Sequence, residues 1–565
     1  MDNAMGSGHV LVYSFDVFMQ LYTTEGFRER DAAELIMTNN LFGLEIDKRA
    51  YQLAYFAIMM KGREYNRRIL SKEIKLNLHQ FIDTPEIPNE YFERLSEVSP
   101  YSHELTTTLL SQLTRLLNHF KNATEIGSIL KIEEPQQSEL DQLDQFVRSF
   151  EIFSNMDILY QLPEIQTKVI SILDITRLLM TRYTAVTTNP PYLNKMSPNL
   201  DKYVKKNYPD VKTDLFSVFI KMNSNILLDG GYAGFMTPFV WMFIKSYEEL
   251  RSFLITNKSI SSLVQMEYSA FEEATVPVCC FMIKNAKTEP VGNYFKLSDF
   301  KGGMKVQKNK ILEAIKKTSV DYFYQTNQNN FKKIPGLPVS FWASETAVKD
   351  FSSGDIIQKL GDAKQGLIPG NTIAFLRLWY EVSTNRIGFN NHKYSDILKY
   401  RKKWFPYNKG GSFRRWYGNL DFLINMKNNG HDIQFSGLNN NHRLRESSLY
   451  FKEVLTWSKI SSGSFSMRYL PEGTIFDIAG CSVFNVEDKF YVLGAMNSKA
   501  VSYLLRMISP TLNYEVDHIK KIPIIFSDKD TEYNVRNFVK NNISNSMLDW
   551  NSFETSWEFK KHPLI

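Results

Sequence analysis

The stretch "YTAVTTNPPY" at residues 183–192 joins a run rich in β-branched residues to two consecutive prolines. Such a run is typical of a buried β-strand. Proline fixes φ and donates no N–H, so Pro190 and Pro191 should end this strand in a rigid corner. Ligands of open α/β sheets bind outside the carboxyl ends of the strands. The sequence therefore places Asn189 and Tyr192 at a predicted ligand site.

A glycine turn opens the chain in "DNAMGSGHV" at residues 2–10. Gly6 and Gly8 flank Ser7 just before an apolar-periodic stretch that predicts a helix from His9. Glycine lets a ligand approach the backbone closely, and a helix N-terminus favours an anionic group. The turn is a candidate cofactor loop, although a plain turn would produce the same pattern.

The segment "LFGLEIDKRAYQLAYFAIMM" at residues 41–60 predicts a strand that ends at Glu45 and a helix from about Lys48. A carboxylate at the tip of the second strand of a doubly wound sheet accepts hydrogen bonds from ribose hydroxyls. Alternatively Glu45 or Asp47 only caps the helix. "EIKLNLHQFID" predicts a third strand, and Asp83 after it is placed to touch the edge of a base.

Helical spacing of apolar residues dominates residues 85–182, which predicts a helical insertion. Strand and helix patterns then alternate from residue 183 to about residue 285, where we expect the sheet to end. The predicted layout is a first part of an α/β core at 1–84, the insertion at 85–182 and a second core part at 183–290. An α+β region at 291–565 follows.

The charge of the chain is unevenly divided along its length. Residues 1–290 contain 29 Lys and Arg and 36 Asp and Glu, whereas residues 291–565 contain 38 and 25. A basic half joined to an acidic half indicates polyanion binding by the basic half. The three cysteines suit a reducing compartment, and no leader or apolar span is evident. We expect a cytoplasmic protein with no metal site.

Three motifs together resemble S-adenosylmethionine-dependent N6-adenine DNA methyltransferases of the γ class: the glycine turn, the acidic strand tip and Asn-Pro-Pro-Tyr. The resemblance implies a Rossmann-like class I fold and S-adenosylmethionine as cofactor. It places the cofactor at a set of residues in the first motifs: Asp2, Ala4, Gly6, Ser7, Gly8, Glu45 and Asp83. "FEEATVPVCCFMIKN" is similar to a further motif of that class, in which Phe271 would stack on the target base.

Beyond residue 290 the chain is similar to the PglX methyltransferases of BREX phage-defence systems. The segments "GLIPGNTIAFLRLWYEV" and "KKWFPYNKGGSFRRWYGN" carry this resemblance. Members of that family have several hundred residues before the glycine motif and Asp-Pro where Asp2-Asn3 stands here. We therefore expect a C-terminal portion of a PglX protein, whose partners are an N-terminal PglX segment and other BREX proteins.

The resemblance implies how Asn189 and its neighbours act. The N6 amine of adenine is a poor nucleophile because its lone pair is delocalised into the ring. The Asn189 side-chain oxygen and the Pro190 carbonyl would accept its two hydrogens, and Pro191 would keep both acceptors in place. Tyr192 would stack on the base, which must be flipped out of double-stranded DNA to reach this corner.

The basic half contains the candidate DNA-binding residues. Seven cationic residues and no acidic one lie between residues 399 and 415, interleaved with Trp404, Phe405, Tyr407, Phe413 and Trp416. Phosphate neutralisation and aromatic stacking both fit this segment. A solvated pair of strands would also explain it. The predicted DNA-binding residues are Lys399, Arg401, Lys402, Lys403, Lys409, Arg414, Arg415, Arg443 and Arg445.

The sequence thus predicts a site-specific adenine methyltransferase acting on DNA in phage defence. Two alternatives remain open at this stage. One is a catalytically incomplete DNA-binding or regulatory subunit, and the other is a methyltransferase acting on RNA or protein.

Overall fold

The computed structural model describes residues 1–132, 136–149, 161–268, 276–287, 291–438, 441–461, 463–509 and 513–565. These residues form two compact units, Met1–Asn329 and Asn330–Ile565. Among the helices within these ranges, none is long and apolar enough to cross a membrane.

Parallel strands dominate the first unit. Its strands are β1 (Phe42–Glu45), β2 (Asn77–Gln80), β3 (Tyr183–Thr188), β4 (Leu227–Pro238), β5 (Ser259–Gln265), β6 (Val278–Lys284), β7 (Val291–Lys296) and β8 (Phe323–Asn327). They pair in the orders β1-β2 and β3-β4-β6-β5-β7-β8. Pairs that include β6 or β8 are antiparallel, and the other pairs are parallel.

The first two residues of the chain join these two groups of strands. The Asp2 N–H donates to the Phe42 carbonyl at 2.9 Å, and the Leu44 N–H donates to the Asp2 carbonyl at 3.0 Å. On the other side, the Met1 amino group donates to the Ala185 carbonyl at 3.0 Å. Met1 and Asp2 thus occupy the sheet position between β1 and β3. The chain adds β1 and β2 on one side of this position and β3 and β4 on the other, as at the ligand-binding switch point of a doubly wound sheet.

Helices cover both faces of this part of the sheet. The helices of the first unit are α1 (His9–Thr24), α2 (Glu29–Leu35), α3 (Lys48–Tyr65), α4 (Asn89–Glu97), α5 (His103–His119), α6 (Ala123–Ile126), α7 (Gln137–Arg148), α8 (Leu162–Met180), α9 (Pro198–Asn207), α10 (Leu215–Asn225), α11 (Glu248–Asn257) and α12 (Gly303–Lys316). Leu78 of β2 packs with residues of α1–α3, whereas Leu44 of β1 packs with the insertion helices.

The helical insertion forms where the apolar spacing predicts it. Leu109, Leu113 and Leu116 recur every three or four residues along α5, so they lie on one face, and all three are buried. They share a core with Phe146 of α7 and with Leu44 of β1. The insertion is therefore packed against the strand that ends at Glu45.

The second unit contains two four-stranded sheets, β10-β17-β14-β15 and β11-β13-β12-β16. Its strands are β9 (Asp355–Ile356), β10 (Asp362–Lys364), β11 (Leu376–Leu378), β12 (Trp404–Asn408), β13 (Phe422–Asn425), β14 (Val454–Ser458), β15 (Met467–Leu470), β16 (Ile475–Phe476), β17 (Gly480–Phe484) and β18 (Pro523–Ile524). Its helices are α13 (Glu345–Ser353), α14 (Ile357–Leu360), α15 (Thr372–Phe375), α16 (Asp396–Tyr400), α17 (Lys427–Phe435), α18 (Lys489–Met496), α19 (Lys499–Ile508), α20 (Val516–Ile519) and α21 (Lys529–Asn551). This mixture agrees with the α+β character expected of the region.

The boundary between the units differs from the predicted one. The sheet does not end near residue 285, because β7 pairs with β5 and β8 pairs with β7. The first unit accordingly extends to Asn329 rather than to residue 290. β8 is the edge strand of this sheet and β7 lies next to it. Both carry polar residues such as Asn293 and Gln325, so neither shows the continuous apolar run of a strand buried on both faces.

Asp2 generates a prediction about stability and pH. Its side chain is almost fully buried, with Oδ1 accepting the Ala4 N–H at 3.2 Å. Burial raises the pKa of the Asp2 carboxyl from 3.8 to about 6. The stability that this carboxyl contributes is therefore present below about pH 4 and is lost as the pH rises through about 6. Relative to Asp2→Asn, the wild-type free energy of unfolding should fall by about 3 kcal/mol between pH 4 and pH 8.

Urea denaturation at a series of pH values measures this difference. Asp47→Asn is the matched control, because the Asp47 side chain caps the exposed start of α3. This variant retains Asp2, so it should retain the fall in stability that the Asp2 carboxyl causes between pH 4 and pH 8. Parallel curves for the wild type and Asp2→Asn would show that the Asp2 carboxyl keeps an ordinary pKa.

Candidate active site

A cavity of about 230 Å³ lies at the carboxyl ends of β1 and β3. Five segments line it: residues 3 and 4, residues 45 and 46, residues 125–128, residues 189 and 191, and residues 215 and 219. The sequence motifs of the glycine turn, the acidic strand tip and the proline corner therefore meet at one cavity. The parallel pairing of the strands brings their tips to the same edge.

Glu45 links the acidic strand tip to the glycine turn. Its Oε2 accepts the Gly6 N–H at 2.7 Å, and its Oε1 accepts the Ile46 and Asp47 N–H groups, each at 2.9 Å. Asp47, not Glu45, caps α3 by accepting the Ala50 N–H at 2.8 Å. The carboxylate of Glu45 is thus held at the cavity by three backbone donors.

Of the other residues predicted to hold the cofactor in the glycine turn, one lines the cavity and four do not. Ala4 lines the cavity together with Glu45. Asp2 lies buried below the turn, Ser7 is exposed, and Gly8 packs α1 against α3. A Cβ on Gly8, where φ is +84°, would lie 2.9 Å from the Cβ of Ala54. A cofactor contact by Asp2, Gly6, Ser7 or Gly8 stays a prediction.

Asp83 does not line this cavity. One of its carboxylate oxygens accepts the Thr124 N–H at 2.9 Å, and the other accepts the Thr124 hydroxyl at 2.8 Å. The neighbouring lining comes instead from residues 125–128 of the helical insertion. Sequence reasoning missed this segment, because its position beside the strand tips depends on tertiary packing.

The Asn-Pro-Pro-Tyr corner lies at the exposed mouth of the cavity. The Tyr192 hydroxyl is 3.1 Å from both Asn189 Oδ1 and the Met236 carbonyl oxygen. The Tyr192 ring packs edge-on against Phe216 at a centroid distance of 6.3 Å. Burial, with a smaller effect of Cys279 and Cys280, raises the pKa of Tyr192 to about 12, so this phenol stays protonated at neutral pH.

Asp214 anchors the chain that follows this corner. Its Oδ1 accepts the Leu193 N–H at 2.9 Å and the Phe216 N–H at 3.3 Å, while the Leu215 N–H donates to the Leu193 carbonyl at 3.1 Å. One buried carboxylate therefore both caps α10 and holds the loop that follows β3. The pattern Asp-Leu-Phe before an apolar-periodic run signals a helix cap, but only the fold shows the second task.

A buried amide pair fixes the floor of the cavity. Asn3 Nδ2 donates to Asn223 Oδ1 at 2.6 Å, and Asn223 Nδ2 donates to Asn3 Oδ1 at 3.1 Å. The Ser128 hydroxyl donates to the Asn3 carbonyl. Asn3, which stands in place of the expected proline, thereby ties the glycine turn to α10 and to the insertion.

The base-stacking prediction for Phe271 lies outside the described residues. The aromatic residues of the basic segment lie inside them, and the structure corrects their interpretation. Trp404, Phe405 and Tyr407 are buried in β12, which pairs with β13 on one side and β16 on the other. They are core residues and are not available to stack on bases, whereas Phe413 is exposed.

The cationic residues of this segment differ in their surroundings. Arg401 and Lys403 are exposed, as is Arg443 farther along the chain. Lys402 donates to the Asn385 carbonyl, and Arg414 pairs with Asp549 at 3.1 Å and stacks on Trp550. Gly410 and Gly411 have φ values of +86° and +130°, and a Cβ on either would lie 2.9 Å from Ala479 or Asn419. DNA contact by any of the nine cationic residues stays a prediction.

Removing the Asp214 carboxylate should loosen the loop that follows β3. Asp214→Ala deletes the helix cap and the acceptor for Leu193, so we expect a loss of about 1–2 kcal/mol in the free energy of unfolding. Amide hydrogen exchange at Leu193 should become much faster. Asp528→Ala is the control, because Asp528 caps α21 in the same way, with the Thr531 N–H at 2.9 Å. It should leave exchange at Leu193 unchanged, and an equally slow exchange in Asp214→Ala would contradict the anchoring role.

The chain is similar to known adenine-specific methyltransferases. Residues 39–271 match the family model described as Eco57I restriction-modification methylase. The whole chain is 34% identical to the adenine-specific methyltransferase PglX of Lacticaseibacillus casei (strain Zhang) over 589 residues. It is also 34% identical to the adenine-specific methyltransferase BrxX of Escherichia coli O9:H4 (strain HS) over 593 residues. The alignments cover 47% of each relative, so the chain spans about half the length of the curated relatives it matches.

Two solved structures share the fold. The Type IIL restriction-modification enzyme MmeI, solved with DNA, superposes with a TM-score of 0.52 and 9% identity, covering 99% of this chain and 66% of MmeI. A nuclease-deletion mutant of the Type ISP restriction-modification enzyme LlaGI, solved with a DNA substrate mimic, gives 0.51 and 12%, covering 96% and 44%. The α/β fold is thus that of restriction-modification methyltransferases, and the resemblance to PglX is confirmed.

Proposed function

Because the chain is a relative of the adenine-specific methyltransferases PglX and BrxX over its whole length, we propose that it transfers a methyl group to the N6 atom of adenine in DNA. The observation that carries this proposal is the position of Asn189 at the mouth of a cavity that also contains Glu45. An acceptor for an amine therefore adjoins an acceptor for ribose hydroxyls. The names of the two relatives further support a role in phage defence as part of a BREX system.

The residues of the cavity fit S-adenosylmethionine. Ile46, Ile126, Leu215 and Phe219 supply apolar walls suited to a flat nucleobase, and Glu45 supplies a carboxylate suited to a ribose diol. Among the described residues that line it, none is basic. A cavity with carboxylates and no basic lining residue suits a cofactor that carries positive charge. Bound there, S-adenosylmethionine would supply an electrophilic methyl group.

Asn189 and Pro190 would activate the incoming amine. Two acceptors aimed at the two amino hydrogens favour a more tetrahedral nitrogen, whose lone pair can then attack. The Asn189 oxygen lies 3.1 Å from the Tyr192 hydroxyl in this structure, and an amide oxygen has a second acceptor site for the amine. Asn is suited to this task because it accepts without the charge that would have to be desolvated.

Tyr192 would position the flipped base against the corner. Its ring is held by the edge contact with Phe216, which in turn stacks on Tyr247 at a centroid distance of 5.5 Å. A supported ring loses little freedom when a base stacks on it. Positioning the amine beside the methyl donor supplies a large part of the rate enhancement.

The second unit would supply contacts to the DNA backbone. Residues 330–565 contain 31 Lys and Arg against 22 Asp and Glu, and Arg401, Lys403 and Arg443 are exposed. Cations on a protein surface release counterions when they neutralise phosphates, which gives binding that weakens with salt. The MmeI and LlaGI structures, both solved with DNA or a DNA mimic, are consistent with this proposal.

Replacing Asn189 tests the catalytic proposal. Asn189→Ala removes the side-chain acceptor, so transfer of radiolabelled methyl groups from S-adenosylmethionine to DNA should fall by about 100-fold or more. Affinity for DNA should stay nearly unchanged. Asn194→Ala, an exposed residue of the same loop, is the matched control and should keep its activity. An active Asn189→Ala variant would refute the assigned role.

Salt dependence tests the DNA contacts. If Arg401 and Arg443 each neutralise one phosphate, replacing both by Ala should reduce the slope of log K against log salt by about 1.8. Fluorescence anisotropy with labelled duplex DNA at several salt concentrations measures this slope. Arg536→Ala should leave it nearly unchanged, because Asp488 and Glu532 already pair with that guanidinium and Arg536 is not among the predicted DNA-binding residues. A double variant with an unaltered slope would remove these two residues from the interface.

A further inference from the structure

We propose that Glu125, in the helical insertion, binds the exocyclic amino group of the cofactor's adenine and so makes the site selective for adenosyl ligands. This inference rests on the proposed function and deepens it. The sequence offered Asp83 for that task, and the structure points to a different carboxylate.

Residues 124–128, which we call the insertion turn, contact several parts of the site. Thr124 donates to the Asp83 carboxylate, and the Ser128 hydroxyl donates to the Asn3 carbonyl. Beyond the turn, the Tyr208 hydroxyl donates to the Ile129 carbonyl at 2.8 Å. The insertion turn is therefore bonded to Asn3 in the glycine turn and to Asp83 after β2. The residue that follows the turn is bonded to Tyr208, which comes after the Asn-Pro-Pro-Tyr corner in the chain.

Gly127 brings the backbone of the insertion turn close to Ile46. Its φ and ψ of +60° and −144° are open only to glycine. A Cβ at this position would lie 2.8 Å from the Ile46 Cγ2 atom. Ile46, Ile126, Leu215 and Phe219 together give the cavity an apolar lining, which we call the apolar slot. Such an apolar slot suits the faces of a planar base better than the charged amino-acid part of the cofactor.

The Glu125 carboxylate adjoins this slot. Glu125 is half-buried and lines the cavity, and its two oxygens accept from the Ser197 hydroxyl and from Asn199 Nδ2, the latter at 3.4 Å. These bonds fix the carboxylate and leave acceptor sites, because two ionised oxygens offer about four. A fixed acceptor beside an apolar slot recognises an amino group on a base edge.

Asp83 is less suited to this task than Glu125. Its carboxylate accepts two bonds, as that of Glu125 does, but these come from the Thr124 N–H and hydroxyl, and Asp83 does not line the cavity. The Asp83 bonds instead hold the start of the insertion turn, one residue before Glu125. Asp83 is therefore a positioning residue for Glu125.

Paired ligands that differ at one atom test the inference. S-adenosylhomocysteine carries the amino group, and S-inosylhomocysteine carries an oxygen in its place. The wild-type chain should bind the adenosyl ligand about 10- to 100-fold more tightly, the range of a hydrogen bond to a charged group. Glu125→Ala should bring the two affinities within about threefold by weakening adenosyl binding, as measured by isothermal titration calorimetry.

A second variant and a control complete the design. Glu125→Gln keeps an acceptor and adds a donor that matches the inosyl oxygen, so it should bind the inosyl ligand more tightly than the wild type does. Glu104→Gln, an exposed residue at the start of α5, should retain the wild-type preference. Thermal unfolding of each variant checks that the fold is kept.

The outcomes separate the inference from the proposed function. An unchanged preference in both Glu125 variants would overturn the inference and leave the methyltransferase proposal standing. Equal weakening of both ligands would also overturn it, since the carboxylate would then act on the ammonium group or on the fold. If the wild-type chain bound neither ligand, the proposed cofactor site itself would be refuted.

Discussion

The backbone hydrogen bonds of Met1 and Asp2 are the constraint on which the site depends. They join β1 to β3, so the strand that ends at Glu45 and the strand that ends at Thr188, just before Asn189, have their carboxyl ends at the same edge of the sheet. Apart from this connection, the described strands of the first unit pair only within the groups β1-β2 and β3-β4-β6-β5-β7-β8. The side chain of Asp2 is buried as well, and burial disfavours the charged form of its carboxyl. The same residue therefore contributes backbone hydrogen bonds to the sheet and a carboxyl with a raised pKa to the interior.

A network of polar side chains then fixes the turns that leave this edge. Asn3 pairs with Asn223, Glu45 accepts from Gly6, and Asp214 holds Leu193. Buried polar groups are costly when one partner is lost, so such networks specify a single arrangement of loops. The helical insertion is part of this arrangement, which explains why a segment far from the glycine turn in sequence lines the same cavity.

In the second unit, the aromatic and the cationic residues at positions 399–416 have different places in the structure. The alternation of cations and aromatic rings at residues 399–416 arises largely because β12 is a central strand with buried rings. Its flanking cations remain at the surface, where arginine and lysine stems cover apolar area while their charges stay in water. The basic character of the unit is therefore genuine, although the stacking interpretation of Trp404, Phe405 and Tyr407 was wrong.

Local patterns in the sequence were sufficient for the strand ending at Glu45, the helices of the insertion and the rigid corner at Asn189, because periodicity and proline geometry act over a few residues. These patterns also identified the three motifs whose residues line the cavity: the glycine turn, the acidic strand tip and the proline corner. The task of Asp83, the second task of Asp214 and the place of Glu125 in the lining were decided only by tertiary structure. Each depends on a partner distant in sequence, such as Thr124, Leu193 or Ser197, and a spacing pattern contains no record of which distant donor a carboxylate will meet.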